Sequence, residues 1–171
     1  MKLLSVIALL AIASPLGVSA ASLQLFPQAP VDISATYPVS GDNPLEFCSD
    51  PSNNILEILN VDLSPNPPQP GQTLSINAEG ILHETVERGA KVLLQVSYGL
   101  IRLISQEVDL CDQLETNVDI SCPLEKGKLT FTKQVDLPKE IPPGKYSVIA
   151  DAYTKDKQPI TCLQAKNIVF H

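Results

Sequence analysis

Apolar and polar residues alternate with a period of two along most of this chain. The cleanest stretch is Thr73 to Gly80, TLSINAEG, where Leu74, Ile76 and Ala78 point one way and Ser75, Asn77 and Glu79 the other. That period marks a strand with one face buried. Six further stretches read as strands: Ile55 to Leu63, Lys91 to Tyr98, Leu100 to Val108, Leu129 to Val135, Lys145 to Tyr153 and Ile160 to Phe170. Turn residues separate them, including Arg88-Gly89 and the run from Ser64 to Gly71, whose four prolines no β-ladder can continue through. In ILEILNVDL, Ile55, Ile58 and Leu59 also fit a helical face, but its brevity and the Asn60-Val61 pair favour a strand. No stretch of ten or more residues carries a 3.6 period, so the pattern predicts an all-β sandwich or barrel of about seven strands.

The N-terminus follows other rules. Lys2 precedes the apolar run Leu3 to Ile12, which is too short to span a bilayer, and Val18-Ser19-Ala20 offers small residues for cleavage. Residues 1–20 are therefore expected to be a signal peptide that directs the chain into the secretory pathway, to a vacuole lumen or the outside. Residues 21–37, rich in proline, are expected to be a pro-segment or flexible arm, with the domain over 38–171 and its folded unit from Leu45 onward. No later stretch approaches 18 apolar residues, so the expected mature product is soluble.

Composition narrows the function. Beyond residue 20 the chain holds every acidic residue and loses only Lys2, leaving a strongly acidic domain that does not suit nucleic acid. It has no tryptophan, four phenylalanines and abundant Val, Ile and Leu. Such side chains pack a solid core or line an apolar cavity, and pattern alone favours the solid core. Cys48, Cys111, Cys122 and Cys162 suit two disulfides with three possible connectivities, and lack the CxxC spacing of a zinc site.

Catalytic chemistry is thinly represented. His83 opens HETVE, which lacks the second histidine of a metal-binding HExxH, and neither a GxSxG elbow, a phosphate-cradling glycine loop nor a redox CxxC occurs. Asp109, Asp112, Glu115 and Asp119 could supply a carboxylate pair but read as solvated loop residues. No metal, cofactor or enzyme activity is expected.

Several pieces carry a resemblance in their order and spacing over about Leu45 to Phe170. They are Phe47-Cys48-Ser49 ahead of ILEILNVDLSP, Gly71 to Ile76, Val92 to Leu103 with Cys111, Cys122-Pro123-Leu124-Glu125-Lys126-Gly127, Val135 to Pro138, Ile141 to Gly144, and Asp156-Lys157 with Thr161-Cys162-Leu163. Together they resemble the ML family of lipid-recognition domains, and within it the Niemann–Pick C2-like proteins. The resemblance implies an immunoglobulin-like β-sandwich with an apolar cavity between its sheets, and the disulfides Cys48–Cys162 and Cys111–Cys122. Animal Niemann–Pick C2 proteins hold a third disulfide beside the proline-rich turn; Ser64 to Gly71 has no cysteine, so a looser turn is expected.

By the same resemblance Val96, Ile101, Leu103 and Ile141 contact the ligand, and alternation adds Phe131, Leu137, Tyr146 and Val148. The family has an aromatic at the positions of Leu103 and Ile141, so branched chains here suit flexible acyl tails at least as well as a flat steroid. The implied function is non-enzymatic binding and transfer of lipid between membranes, with phosphatidylglycerol and phosphatidylinositol expected and sterol as the alternative. Lys91, Arg102, Lys139 and Lys145 are the cations available to a phosphate at the mouth. The expected partners are the lipid, membranes touched transiently and a possible receptor protein, with the chain itself a monomer.

Overall fold

The computed structural model describes residues 35–171; the expected signal peptide and most of the 21–37 segment lie outside the described residues. Two antiparallel sheets face each other. One has six strands, in the order β1 (Tyr37–Pro38), β2 (Leu45–Phe47), β9 (Pro159–Phe170), β8 (Gly144–Tyr153), β5 (Lys91–Tyr98) and β6 (Ile101–Asp109). The other has three, β3 (Leu56–Ser64), β4 (Thr73–Leu82) and β7 (Gly127–Asp136). The seven strands expected from alternation are β3 to β9, and ILEILNVDL is strand: Val61 pairs with Ala78 and Leu63 with Ile76. The additional strands, β1 and β2, are too short to display a period. Tyr37 of β1 pairs with Phe47.

Among the described residues, one α-helix interrupts the sheets, besides a single 3-10 turn at Pro51–Asn53. Helix α1 (Leu110–Val118) lies in the polar stretch between Cys111 and Cys122, where no regular element was expected. Its nine residues allow only a short apolar stripe, Leu110, Cys111 and Leu114, which packs on the core while the acidic face meets water. Asp109 starts it by accepting hydrogen bonds from the backbone N–H groups of Cys111 and Asp112. The Lys91 Nζ also donates to Asp109, at 3.0 Å. That bond, with the backbone donors, holds the Asp109 carboxyl below its ordinary value and raises Lys91 above its own.

The sign of the resulting pH dependence follows. Asp109 stabilises the fold fully above the pKa of an unfolded aspartate, about 3.9, and less as pH falls from there through its depressed folded value. Lys91 contributes below its unfolded value, about 10.4, and loses that contribution only as pH rises through its raised one. Asp109→Ala should cost about 0.5–2 kcal/mol at neutral pH through loss of the cap. Asp109→Asn, which keeps an acceptor, should cost less and flatten the acid limb of stability. Urea melts at a series of pH values check this, and equal losses for the two variants would remove capping as the cause.

The two sides of the sandwich differ. Along β3, the N–H groups of Val61 and Leu63 donate to Ser40 O and Asp42 O, both at 2.9 Å, and Asn43 Nδ2 donates to Val61 O at 2.7 Å. Gly41 makes this lacing possible: at φ +107°, a Cβ there would lie 2.1 Å from Val61 O. On the opposite side, among the described residues, the outer edges of β6 and β7 pair with no other strand. The buried core is likewise divided. Ile55, Leu82, Val86, Cys111, Cys122, Leu124 and Ile160 form one cluster around the base of α1, and Val39, Val61 and Leu63 form another along the laced side.

Candidate functional site

Between the two core clusters the sheets part around a cavity of about 990 Å³. Its walls come from alternate residues of the facing strands: Val96, Val148, Leu163 and Ala165 from the six-stranded sheet, Leu74, Ile76, Ala78 and Phe131 from the three-stranded one. Leu110 and Leu114 of α1 close the deep end. Among the described residues that line it, Glu79, Glu140, Thr161 and Tyr146 are the ones with carboxylate or hydroxyl side chains. Small residues, Ala78, Ala152 and Ala165, stand among the larger aliphatic ones on its inner faces.

The mouth is framed by the proline-rich turn and the loop after β7. Gly71 N–H donates to Pro138 O and Leu137 N–H to Gln72 O, each at 3.0 Å, so the turn is tied to the mouth loop without a disulfide. Three rings stand behind the loop. Tyr98 meets Tyr146 edge-on at 5.2 Å between centroids, and Tyr146 meets Phe170 at 5.4 Å. Both tyrosine hydroxyls donate into the loop, Tyr98 to Pro143 O and Tyr146 to Pro142 O. Gly144 must be bare for this, since a Cβ would come within 2.3 Å of the Tyr98 ring.

Seven of the eight residues expected at the ligand, Val96, Leu103, Phe131, Leu137, Ile141, Tyr146 and Val148, line this cavity. Ile101 does not. It pairs with Tyr98 at the tip of the β5–β6 hairpin, 63% exposed, beyond the cavity's end. A bulge in β6 shapes this stretch: Val96 pairs with Ile104 and Ser97 with Arg102, leaving Leu103 as the extra residue. Both Leu103 and Ile104 thereby reach the cavity, while Ile101, on the same face opposite Tyr98, lies at the hairpin tip. Ile104, missed from the sequence, is the clearest addition; α1's contribution was hidden by the helix itself having no visible period.

Of the four cations considered for a headgroup, Lys91 is at the wrong end. It pairs with Asp109 and Tyr153, at the end of β5 away from Tyr98 and the mouth. Arg102 follows the hairpin tip, Lys139 sits in the mouth loop against Gly71, and Lys145 accepts the Gly99 N–H through its backbone carbonyl. The other groups with chemical potential lie apart from the cavity. His83 Nε2 is 2.9 Å from Glu57 on an exposed surface, and Asp112 and Glu115 ride on α1 between its capping residues Asp109 and Asp119. The disulfides are Cys48–Cys162 and Cys111–Cys122.

A family profile described as the ML domain matches residues 42–169, which takes in every strand from β2 through β8 and nearly all of β9. The chain belongs to the ML domain family. Among curated ML relatives, a phosphatidylglycerol/phosphatidylinositol transfer protein of Aspergillus fumigatus is 61% identical over 173 aligned positions, covering 99% of this chain and 98% of its own length. A protein of the same name from Neurospora crassa is 48% identical, over 91% of this chain and 89% of its own. Two solved structures share the ML fold at low identity. Chicken MD-1 complexed with lipid IVa superposes with a TM-score of 0.51 at 20% identity, covering 79% of this chain and 99% of that one. A Niemann–Pick type C2 protein from the Japanese carpenter ant gives 0.51 at 13%, covering 74% and 98%.

Proposed function

We propose that this ML domain is a non-enzymatic lipid carrier that takes one phosphatidylglycerol or phosphatidylinositol molecule between its sheets and transfers it between membranes. The observation that carries the reading is the apolar cavity of about 990 Å³. At interior packing density a methylene occupies on the order of 27 Å³, so the space suits about thirty-five of them, the content of two long acyl chains. A steroid with its tail would leave about a quarter of the space unfilled, and unfilled apolar space is costly. Close relatives named for transfer of these two phospholipids support the same cargo.

The energetics fit a carrier. Each methylene brought from a bilayer into water costs about 0.8 kcal/mol, so unassisted desorption is slow, and an aliphatic sleeve removes most of that cost. Val96, Leu103, Phe131, Leu137, Ile141, Tyr146 and Val148 would hold the tails, while Arg102, Lys139 and Lys145 stand near the mouth for the phosphate. The protein would act as a monomer in an oxidising lumen or outside the cell, consistent with its two disulfides, after removal of residues 1–20.

Native mass spectrometry of the gently purified protein, followed by extraction of what it releases, tests the reading. A one-to-one diacyl phospholipid with a glycerol or inositol headgroup is the expected result. A sterol in its place would change the cargo, and a chain that stays lipid-free after incubation with mixed vesicles would end the carrier reading.

A further inference from the structure

The hairpin between β5 and β6 presents apolar side chains that the fold does not bury. Leu100 at its apex has a relative exposure of 105%, Ile101 beside it 63%, Leu103 55% and Ile104 43%. Isolated exposed leucines are ordinary, but four large aliphatic residues grouped within one hairpin are not. Turn chemistry does not call for them: Gly99, at φ +54°, supplies the left-handed conformation, and open space surrounds it. The hairpin is also held in place, because Gly99 N–H donates to Lys145 O at 2.8 Å and the Tyr98 hydroxyl is tied to Pro143 O. Leu100 is thus an apolar point on a fixed support.

We infer that this hairpin tip is the protein's bilayer-docking element, with Leu100 and Ile101 inserting among lipid headgroups so that the cavity mouth opens onto the membrane. The inference rests on the carrier reading. Two observations select a bilayer as the occupant. The first is continuity: Leu103 and Ile104 belong both to the exposed patch and to the cavity lining, so an acyl chain leaving a bilayer at the tip meets apolar surface all the way in. The second is charge. Among the described residues Arg102, Lys139 and Lys145, all near the mouth, make no ion pair with a carboxylate, a condition they share with Lys126, Lys133, Lys155 and Lys157 elsewhere on the domain. In a chain of formal net charge −7, cations left without carboxylate partners beside an apolar point suit the phosphates of an anionic surface.

The absence of tryptophan from the chain makes the test direct, since Leu100→Trp introduces a sole indole. With protein-free vesicles of phosphatidylcholine, with and without phosphatidylglycerol, its emission should shift to the blue and be quenched by brominated acyl chains. Leu100→Glu should lower vesicle flotation roughly ten- to a hundred-fold, as expected for losing one buried leucine. It should slow vesicle-to-vesicle transfer in parallel, yet leave uptake of a short-chain phosphatidylglycerol, dissolved as monomers, unchanged. Arg102→Glu with Lys145→Glu should remove only the part of the binding that depends on phosphatidylglycerol and on low salt. An indole that stays water-exposed on vesicles, or a Leu100→Glu chain that floats like the wild type, overturns the inference. So does transfer that needs a membrane protein, which would make the tip a receptor contact. If the wild type fails to take up the short-chain lipid, the carrier reading fails instead, and flotation still judges the tip.

Discussion

Val96→Trp combined with Val148→Trp is expected to abolish lipid loading and, at the same time, to raise the thermal stability of the lipid-free protein. The two valines are cross-strand partners in β5 and β8, both on the inner face of the six-stranded sheet and both on the cavity wall. Two indoles in place of two isopropyl groups would take up about 180 Å³ of the cavity, space for six or seven methylenes. Excluding that much chain costs about 5 kcal/mol of transfer free energy, more than a thousandfold in affinity. The empty protein gains, because a void lined by aliphatic groups is destabilising in proportion to its volume, and filling part of it should return about 2–4 kcal/mol. Differential scanning calorimetry of delipidated samples and native mass spectrometry of vesicle-incubated ones read the two effects separately. Full lipid occupancy in the double variant would mean that the ligand does not lie against the inner face of β5 and β8. Lower stability without lipid would mean that the space is not free to accept larger side chains.

That opposition between function and stability bears on what the sequence could reveal. Alternation in TLSINAEG and its neighbours is a property of each strand alone, and it located β3 to β9 within one or two residues of their ends. Whether the core is solid or hollow depends on which side chains stand opposite one another across the sheets, and no period within a strand encodes that. Ala78 and Ala165 look like unremarkable strand residues until both are found on the cavity wall. Pattern alone therefore favoured the wrong alternative, a solid core, and only the family resemblance supplied the cavity. The same limit applies to pairing. Spacing left three disulfide connectivities open, and the resemblance selected the one the fold contains. Ile101 falls outside the cavity because the pairing of β5 with β6 puts it at the hairpin tip, and Lys91 is held elsewhere because its partner, Asp109, lies 18 residues away. Helix α1 escaped because nine residues carry little more than one repeat of an apolar stripe.

The two disulfides should separate stability from lipid retention. Cys48 and Cys162 are 114 residues apart in sequence and Cys111 and Cys122 only 11. On the chain-entropy account, the long loop constrains the unfolded state by about 5 kcal/mol and the short one by about 3 kcal/mol. Cys48→Ala with Cys162→Ala should therefore lower the melting temperature by about 10–20 °C, at 2–4 °C per kcal/mol. The native contacts around that bridge survive its loss, since Phe47 still pairs with Leu163 and Cys48 N–H donates to Cys162 O through the backbone. Lipid held by this variant at low temperature should match the wild type. Cys111 and Cys122 differ in position: both are buried in the cluster at the base of α1, whose Leu110 and Leu114 form the cavity's deep wall. Replacing that pair by alanine removes packing as well as the loop constraint, so it should loosen the wall and speed lipid release even where the fold persists. Calorimetry beside lipid off-rates, measured well below both melting transitions, distinguishes the two roles. If the Cys48–Cys162 variant instead releases lipid faster at low temperature, the laced side of the sandwich is part of the lipid gate.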